Sequence, residues 1–443
     1  PNINSLVGKF LSILPFSLTD AQKRVLKEID SDIVKAEPMS RLLQGDVGSG
    51  KTVIAISALL TAVQSGWQGA LMAPTEVLAI QHFQTLCKWI PQLQLNVDLL
   101  TGSTSKSRRK QILTDLLNGS TNILVGTHAL FEDPVVFERL GLVVVDEQHR
   151  FGVKQRNKLL NKGLQPHLLT MTATPIPRTL ALTLHGDLDV SQLDELPPGR
   201  TPINTQLISP KDKMYAYDLI RSEIYKGHQI YVVLPLIEES EKLELSAAVD
   251  VYNQLSTNIF SEFTVDLLHG RMKSLLKQEV IQNFINKKTD ILVSTTVIEV
   301  GVDVPNASVM LIEDSDRFGL AQLHQLRGRV GRGASKSYCL LSHQNKNKLS
   351  RQRLEVLVNS NDGFEISEID LRFRGPGQVL GTKQSGLPDF ALASLVEDAD
   401  VLEIAREEAR QILDSDPQLT NNSMLRVLVK EQWDKLKIGN KLN

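Results

Sequence analysis

Eight residues near the start of the chain have the pattern of a phosphate-binding loop. They read GDVGSGKT and match G-x-x-x-x-G-K-S/T. Glycines let successive backbone N–H groups turn toward one anion, and a following helix N-terminus adds partial positive charge. The pattern predicts that Lys51 contacts the terminal phosphates of a nucleotide and that the Thr52 hydroxyl contacts Mg²⁺. The predicted nucleotide-binding residues of the loop are Gly45, Asp46, Val47, Gly48, Ser49, Gly50, Lys51 and Thr52, and the loop alone would fit a kinase, a GTPase or a transporter ATPase.

Two adjacent acids supply a second candidate group. The run LVVVDEQH (142–149) carries apolar residues into Asp146 and Glu147. Ligands of α/β sheets bind at the carboxyl ends of strands. We therefore expect Asp146 to hold Mg²⁺ and Glu147 to orient and polarise water. Without the upstream loop, the same pair would be read as a solvated strand end.

A cluster of arginines lies far downstream, in QLHQLRGRVGRG (322–333). Arg329 and Arg332 are three residues apart and share one face of a helix. Arginines supplied to a nucleotide by another domain can neutralise charge on the transferred phosphoryl group. We interpret the pair as an arginine finger, and the alternative is a solvated basic helix.

The elements that must position these residues are short apolar runs rich in Leu, Val and Ile, which are typical of buried parallel strands. The first six cover 41–44, 69–74, 96–100, 122–127, 140–147 and 167–174. Six more cover 203–208, 229–235, 264–270, 290–296, 308–314 and 337–341. Between the two sets, residues 194–203 contain three prolines and a glycine, as a linker would.

This rhythm predicts an α/β protein with two doubly wound parallel-sheet domains in series. The first domain covers 1–195, the linker 196–202 and the second domain 203–344. Residues 345–443 are expected to form a helix with a basic face, a loop and C-terminal helices, with a turn at 414–423. Within them, 369–390 is expected to be irregular, because Gly costs about 1 kcal/mol and Pro about 3 in a helix interior.

Composition limits the classes of partner and compartment. The net charge of −2 gives no global positive field, so nucleic acid would have to bind at local basic patches. The two cysteines, Cys87 and Cys339, are far apart in the sequence, which fits a reducing cytoplasm. No apolar run approaches the roughly 20 residues of a membrane helix. The chain starts at Pro1, and we expect sequence upstream of it to be missing.

The ordered set of motifs resembles a superfamily 2 helicase. Over essentially the whole chain it resembles the motor portion of bacterial DNA helicases of the RecG family, which has two RecA-like domains. The similar segments are LTDAQ (18–22), APTEVLAIQHF (73–83), LLTGSTS (99–105), VGTHAL (125–130), DEQH (146–149), TATPIPRT (172–179), LLHGRM (267–272), STTVIEVGVDVP (294–305) and QLRGRVGR (325–332). FRGPGQVLGTKQSG (373–386) resembles the translocation motif that this family shares with the transcription-repair coupling ATPase, which implies a helical hairpin and a translocation loop within 345–443.

The resemblance implies roles for further residues. In the ATP site, Gln22 would read adenine, Gly301 and Asp303 would border the nucleotide, and Gln325, Arg329 and Arg332 would complete the site from the second domain. Residues coupling the nucleotide to DNA would be His149, Thr172 and Thr174. DNA contacts would come from Thr75, Gly102, Thr127, His269, Thr295, Arg351, Arg353, Arg372, Arg374, Lys383 and Gln384.

The implied function is that of an enzyme, an ATP- and Mg²⁺-dependent DNA helicase. It would move on duplex DNA and remodel stalled replication forks and Holliday junctions. It would act as a monomeric motor in the cytoplasm, with a single-stranded-DNA-binding protein as a candidate partner. The alternatives are the motor of a coupling ATPase, a remodelling ATPase that does not touch nucleic acid, and a nucleotide-gated binding module without turnover. RecG proteins carry a wedge domain upstream of the motor, so fork binding by this chain alone is left open.

Overall fold

A computed structural model gives the fold of residues 5–147, 151, 153–174, 188–197, 202–235, 241–295, 304–333, 336–344, 348–374 and 399–439. In the first domain, seven strands form one sheet in the order β3-β4-β2-β5-β6-β1-β7, and all six pairings are parallel. The strands are Ser40–Gly45 (β1), Gln68–Met72 (β2), Val97–Leu100 (β3), Ile123–Gly126 (β4), Leu140–Val145 (β5), His167–Thr172 (β6) and Asp189–Leu193 (β7).

The second domain has a six-stranded parallel sheet in the order β10-β11-β9-β12-β13-β8. Its strands are Asn204–Ile208 (β8), Gln229–Val233 (β9), Val265–Leu268 (β10), Ile291–Ser294 (β11), Ala307–Ile312 (β12) and Tyr338–Ser342 (β13). All twelve expected strands are present, and the two doubly wound α/β domains are confirmed.

Strand β7 was not predicted from the sequence; it lies at an edge and pairs only with β1 among the described strands. Its sequence DVSQL has one large apolar residue at its end, so it lacks the apolar run that marked the other strands. Its place is fixed partly by polar contacts: Arg41 Nη1 donates to Ser191 Oγ at 2.8 Å.

Helices follow the strands and cover both faces of each sheet, as crossover connections of parallel strands require. In the first domain they are Leu6–Ile13 (α1), Asp20–Ile33 (α2), Lys51–Gln64 (α3), Glu76–Trp89 (α4), Lys106–Leu117 (α5) and Val153–Leu160 (α6). In the second they are Lys213–Tyr225 (α7), Glu241–Gln254 (α8), Ser274–Ile285 (α9) and Leu320–Arg327 (α10). The final described helices are Lys348–Asn359 (α11), Gly363–Arg374 (α12), Ala399–Ser415 (α13) and Ser423–Gly439 (α14).

The two sheets repeat one arrangement, down to individual hydrogen bonds. The sequence VDLL forms both β3 and β10, which are equivalent edge strands. Asp98 accepts a hydrogen bond from Thr121 Oγ1 at 2.7 Å, and Asp266 accepts one from Thr289 Oγ1 at 2.5 Å. Each pair ties the edge strand to the residues that lead into its neighbour. A position in one domain therefore has a structural counterpart in the other.

The chain forms two compact units, residues 1–175 with 187–366, and residues 176–186 with 367–443. Both sheets belong to the first unit. Leu354, Leu357 and Ile366 lie in the same buried cluster as strands β12 and β13, so α11 packs on the second sheet. The domain boundaries at 195, 203 and 345 stay predictions.

One expectation for the second unit is wrong. Residues 369–374 are the end of helix α12, not part of an irregular loop. The run IDLRFR contains no glycine or proline, and the first helix breaker is Gly375. Residues 375–390, the rest of the expected loop, lie outside the described residues. The expected turn near 414–423 is present, with Asp416 accepting from Thr420 N at 2.8 Å and Asn421 N at 2.7 Å.

No helix in the described part of the chain combines the length and the apolar character needed to cross a membrane.

Candidate functional site

The phosphate-binding loop connects the end of β1 to the start of α3, as its motif requires. Gly48 and Gly50 have φ of 83° and 90°, values that favour glycine. A Cβ on Gly50 would lie 2.3 Å from Gln22 Nε2, so a side chain is excluded for a second reason. Lys51 Nζ donates to the carbonyls of Gly45 at 2.7 Å and Asp46 at 2.8 Å. The ammonium group therefore lies against the concave side of the loop.

Gln22 is buried against this loop. Its Nε2 donates to Ser49 O at 2.8 Å, and its Oε1 accepts from Thr19 N at 3.0 Å in a capping box. Both ends of the amide are thus engaged by protein. The contact joins helix α2 to the loop, while the reading of adenine by Gln22 stays a prediction.

Asp146 follows β5 and is buried beside Lys51. Its Oδ2 lies 2.8 Å from His82 Nε2, and its Oδ1 accepts from Glu147 N at 3.0 Å. Burial acts to raise the pKa of Asp146, but the hydrogen bond from His82 and the charge of Lys51 outweigh it and lower that pKa. The carboxylate is therefore held ionised. His82 was missed from the sequence, although it lies within the quoted segment APTEVLAIQHF.

Glu147 has a backbone conformation that is uncommon for a residue with a side chain. Its φ is 51°, in the left-handed region. Such conformations persist where the surrounding structure enforces them, and they cluster at functional sites. Glu147 Oε2 accepts from Ala173 N at 3.4 Å, which connects it to the segment after β6. Burial and the neighbouring Asp146 raise the pKa of Glu147, against the attraction of Lys51.

The two threonines expected to couple nucleotide and DNA sites flank Ala173. Thr172 and Thr174 lie 2.8 Å apart through their Oγ1 atoms, and Thr174 N donates to Thr172 Oγ1 at 3.2 Å. The structure therefore brings them to the Glu147 side chain. His149, the third expected coupling residue, lies outside the described residues, as do Gly301 and Asp303.

The arginine-rich segment of the second domain lies against the phosphate loop of the first. A Cβ on Gly328 would lie 2.9 Å from Val47 Cβ, so the two backbones meet closely at that point. The charge of Arg332 acts on Lys51 and lowers its pKa, together with the larger effect of burial. The charge of Arg329 acts on Glu147.

The expectation that Arg329 and Arg332 share a helix face is wrong, because helix α10 ends at Arg327 and both arginines follow Gly328, in a segment where Gly331 has a φ of 77°. Arg329 and Gln325 are 7% and 5% exposed, which also argues against a solvated basic helix.

A second histidine that the sequence analysis missed spans the cleft between the two domains. His324 Nε2 lies 2.7 Å from Asp46 Oδ1 of the phosphate loop. No motif pattern marked His324, because contact with a residue 278 positions away cannot be read from local sequence.

Two of the expected DNA-contacting threonines occupy equivalent positions in the two domains. Thr127 follows β4 and Thr295 follows β11, and β4 and β11 have the same place in their sheets. Both hydroxyl oxygens are buried and have no hydrogen-bond partner among the described residues. A buried hydroxyl without a partner is unfavourable by about 1–3 kcal/mol. These two hydroxyls are therefore suited to meet an outside acceptor.

The remaining expected contacts in the first domain lie at helix and strand ends. Thr75 is the N-cap of α4 and accepts from Leu78 N at 3.3 Å. Gly102 is exposed after β3, and the neighbouring Ser103 N donates to Glu76 Oε1 at 3.0 Å. This contact fixes the loop after β3 against the start of α4, so the two segments form one surface.

His269 follows β10, in the position of the second domain that corresponds to the loop after β3. Burial lowers the pKa of His269, and the positive charges of Lys277 and Arg271 lower it further. The surroundings of this imidazole are therefore basic, which suits a phosphate backbone.

The basic residues of the C-terminal region that were expected to contact DNA differ from one another in exposure and in hydrogen-bond partners. Arg351 is exposed and pairs with Glu355 through Nε at 3.0 Å, while Arg353 Nη2 donates to Phe318 O at 3.1 Å. Arg353 thus anchors α11 to the second domain. Arg372 is exposed on α12, and Arg374 is the last residue of that helix. Lys383 and Gln384 lie outside the described residues.

The oxygen donors near the loop fit Mg²⁺ bound together with a nucleotide. Among the described residues there is no group of three or more His, Cys, Asp or Glu side chains that could hold a metal. Mg²⁺ in nucleotide sites usually takes one or two protein oxygens and completes its shell with phosphates and water. The buried carboxylate of Asp146 and the hydroxyl of Thr52 provide such a set.

Three family models match the chain. DEAD/DEAH box helicase matches residues 19–183, and Helicase conserved C-terminal domain matches residues 213–334. A third model, ATP-dependent DNA helicase RecG, domain 3, C-terminal, matches residues 360–441. The first model covers strands β1 to β6, and the second covers strands β9 to β12.

Curated relatives and a solved structure extend this likeness along the chain. ATP-dependent DNA helicase RecG of Synechocystis sp. is 59% identical over 431 residues, which is 97% of this chain and 52% of the relative. The Bacillus subtilis protein of the same name is 51% identical over 415 residues, 93% of this chain and 61% of the relative. The structure of RecG bound to a three-way DNA junction has a TM-score of 0.75 and 46% identity, covering 90% of this chain and 52% of that one.

This chain thus spans from about half to three fifths of the length of those relatives. The motor of a coupling ATPase, the alternative from sequence, is not favoured by them. On these matches, the chain is similar over nearly its whole length to ATP-dependent DNA helicases of the RecG family.

Proposed function

We propose that this chain is the motor of an ATP-driven DNA helicase that moves on duplex DNA and remodels stalled forks and Holliday junctions. The observation that carries the proposal is the close approach of the segment that bears Arg329 and Arg332 to the phosphate loop of the other sheet domain, where Gly328 meets Val47. The charge of Arg332 acts there on Lys51, and the charge of Arg329 acts on Glu147. A nucleotide at the loop would be enclosed by both domains. Binding of the nucleotide would close the cleft between the domains, and hydrolysis would allow the cleft to open again.

The residues around the loop divide the chemistry between them. Lys51 would bind the terminal phosphates, and Glu147 would orient the attacking water and accept its proton. A raised pKa makes Glu147 a stronger base than a free carboxylate. Arg329 and Arg332 would neutralise the charge that develops on the transferred phosphoryl group. Asp146 and Thr52 would hold Mg²⁺, which supplies positive charge to the phosphate oxygens when it is bound.

The DNA path would follow the ends of the equivalent strands in the two sheets. Thr127 and Thr295 support it, because each places a buried hydroxyl without a partner at the same point of its sheet. Such groups would contact the sugar-phosphate backbone, so we expect no sequence preference. A monomeric state, a single-stranded-DNA-binding protein as partner and a cytoplasmic site of action belong to the same proposal.

The test is ATP hydrolysis by the purified chain with and without DNA. We expect a three-way junction to increase kcat, because DNA contacts on both domains favour the closed cleft. The increase should weaken steeply as salt is raised, since phosphate contacts release counterions.

A matched comparison uses the junction, linear duplex and no nucleic acid at one low salt concentration. Hydrolysis that no DNA stimulates would overturn the DNA motor and leave an ATPase of another kind. Absence of any hydrolysis would overturn the nucleotide site itself.

His82→Ala should weaken Mg²⁺-dependent nucleotide binding. The imidazole holds Asp146 at 2.8 Å, and without it a buried carboxylate loses a hydrogen bond worth about 1.5–3 kcal/mol. We expect the affinity for a fluorescent ATP analogue to fall about 10-fold or more with Mg²⁺ and to change little with EDTA.

His128→Ala is the control, because it removes an exposed imidazole from the same domain. An equal loss of affinity with Mg²⁺ and with EDTA would contradict the role of His82 at the metal.

A further inference from the structure

The backbone N–H groups of the phosphate loop are expected to bind phosphate, whereas the side chain of Asp46 makes hydrogen bonds within the protein. Its Oδ1 accepts from Val47 N at 2.6 Å, so the carboxylate is fixed by its own loop. The same oxygen lies 2.7 Å from His324 Nε2, which belongs to helix α10 of the second domain. Both side chains are largely buried, at 14% and 5% exposure. The loop and the second domain are therefore joined at this point by a water-shielded contact.

The direction of the contact follows from the other side of the imidazole ring. Arg327 Nη2 lies 3.0 Å from His324 Nδ1. A guanidinium can only donate, so Nδ1 accepts and the ring proton lies on Nε2. His324 thus donates to Asp46 while it accepts from Arg327. The imidazole ring therefore connects Asp46 to Arg327 through one hydrogen bond at each of its nitrogens.

Arg327 carries the connection to the junction between α11 and α12. Its Nη1 donates to the carbonyls of Leu357 at 2.8 Å and Ser360 at 2.7 Å. Ser360 Oγ in turn donates to Glu365 Oε2 at 2.5 Å, in the first turn of α12. Arg327 is 2% exposed, so these carbonyls replace the water that its guanidinium has lost.

We propose that His324 is a positioning residue that transmits the state of the phosphate loop to the α11–α12 junction. The path runs from Asp46 through His324 and Arg327 to the carbonyls of Leu357 and Ser360. When nucleotide fixes the loop, the donor–acceptor chain fixes the junction as well. When the loop is released, Asp46 is no longer held in place, and the α11–α12 junction loses the support that reaches it through His324 and Arg327.

Apart from the backbone of Asp46, which belongs to the phosphate loop, the path lies outside the groups that touch the nucleotide in the proposed function, on which this inference rests. It differs from the arginine finger because its members bind each other and not the phosphates. Gly328, next to Arg327, packs against Val47 and brings the two segments close enough for His324 to reach Asp46. The same contact between Gly328 and Val47 therefore places both the histidine at Asp46 and Arg329 and Arg332 near the loop.

The experiment is hydrogen exchange of the whole chain with and without Mg²⁺ and ATPγS. In the wild type we expect nucleotide to slow exchange about tenfold or more both in the loop, 45–52, and at the junction, 354–366. In His324→Ala the loop should still respond, while the response of the junction falls below about twofold. A cavity of about 150 Å³ lined by Asp46, His324 and Arg327 borders the pair, so water can enter the truncated site.

Two further variants make the result specific. His324→Gln keeps an N–H that can donate to Asp46, and we expect it to restore most of the junction response. His228→Ala removes an imidazole with a carboxylate partner at the same 2.7 Å, Glu223, but within the second domain only. It should respond as the wild type does.

The outcomes separate this inference from the proposed function. A His324→Ala junction that responds like the wild type would overturn the coupling, as would one that exchanges fast before nucleotide is added. A similar loss in His228→Ala would also overturn it, since the effect would then be one of general stability. A wild-type loop that does not respond to nucleotide would overturn the nucleotide site, and the coupling with it.

Discussion

Replacing Lys51 with alanine should reduce kcat for ATP hydrolysis by at least about 10³-fold, to the background rate. The ammonium group lies on the concave side of the loop, held by the carbonyls of Gly45 and Asp46. Its charge is placed before the reaction starts, in surroundings where water screens it poorly. No other ammonium group among the described residues is placed in the loop in this way.

The measurement is single-turnover hydrolysis with and without a DNA junction, so that binding and chemistry are separated. Lys51→Met should fail to the same extent, although it keeps most of the aliphatic stem. Burial lowers the pKa of Lys51, so the folded protein bears a cost for the charged form that the uncharged variants avoid. We therefore expect the thermal stability of Lys51→Met to be equal to or above that of the wild type. Hydrolysis within tenfold of the wild type would remove Lys51 from its assigned role.

Features that neighbouring residues encode could be predicted from the sequence, whereas features that depend on contacts between distant residues could not. The twelve apolar strands and the phosphate loop were predicted because each is encoded within about ten residues. Strand β7 was not, because an edge strand is stabilised by its neighbour more than by an apolar run. The helical state of 369–374 was missed because glycines further along dominated the interpretation of the whole segment.

Within the site, residues in known motif positions were found and their supporting partners were not. Asp146 was marked by its place after an apolar strand, whereas His82 and His324 act through contacts made only in the folded chain. The equivalence of Thr127 and Thr295 likewise needed the order of strands in the two sheets. Two repeated patterns in the sequence could have revealed it: VDLL at 97–100 and 265–268, and T-x-I-L-V-x-T at 121–127 and 289–295.

Replacing Arg332 with alanine should slow turnover by about 10³-fold or more while ATP binding changes only a few-fold. The positive charge of Arg332 already acts on Lys51 across the cleft, and it would act more strongly on a phosphoryl group between them. That group gains exposed negative charge on its oxygens as the bond breaks, so the interaction is strongest in the transition state. Loss of the side chain should therefore appear in kcat and not in KM.

Binding of analogues distinguishes this role from a structural one. Arg332→Ala should lose far more affinity for ADP with aluminium fluoride, which resembles the transition state, than for a non-hydrolysable ATP analogue. Arg332→Lys should recover part of the loss, because it keeps the charge but not the planar fork of donors. Arg317→Ala, which removes an exposed arginine from the same domain, should change neither affinity. If Arg332→Ala weakened both analogues equally, its role would be to bind the ground state, and the finger would have to be assigned to Arg329.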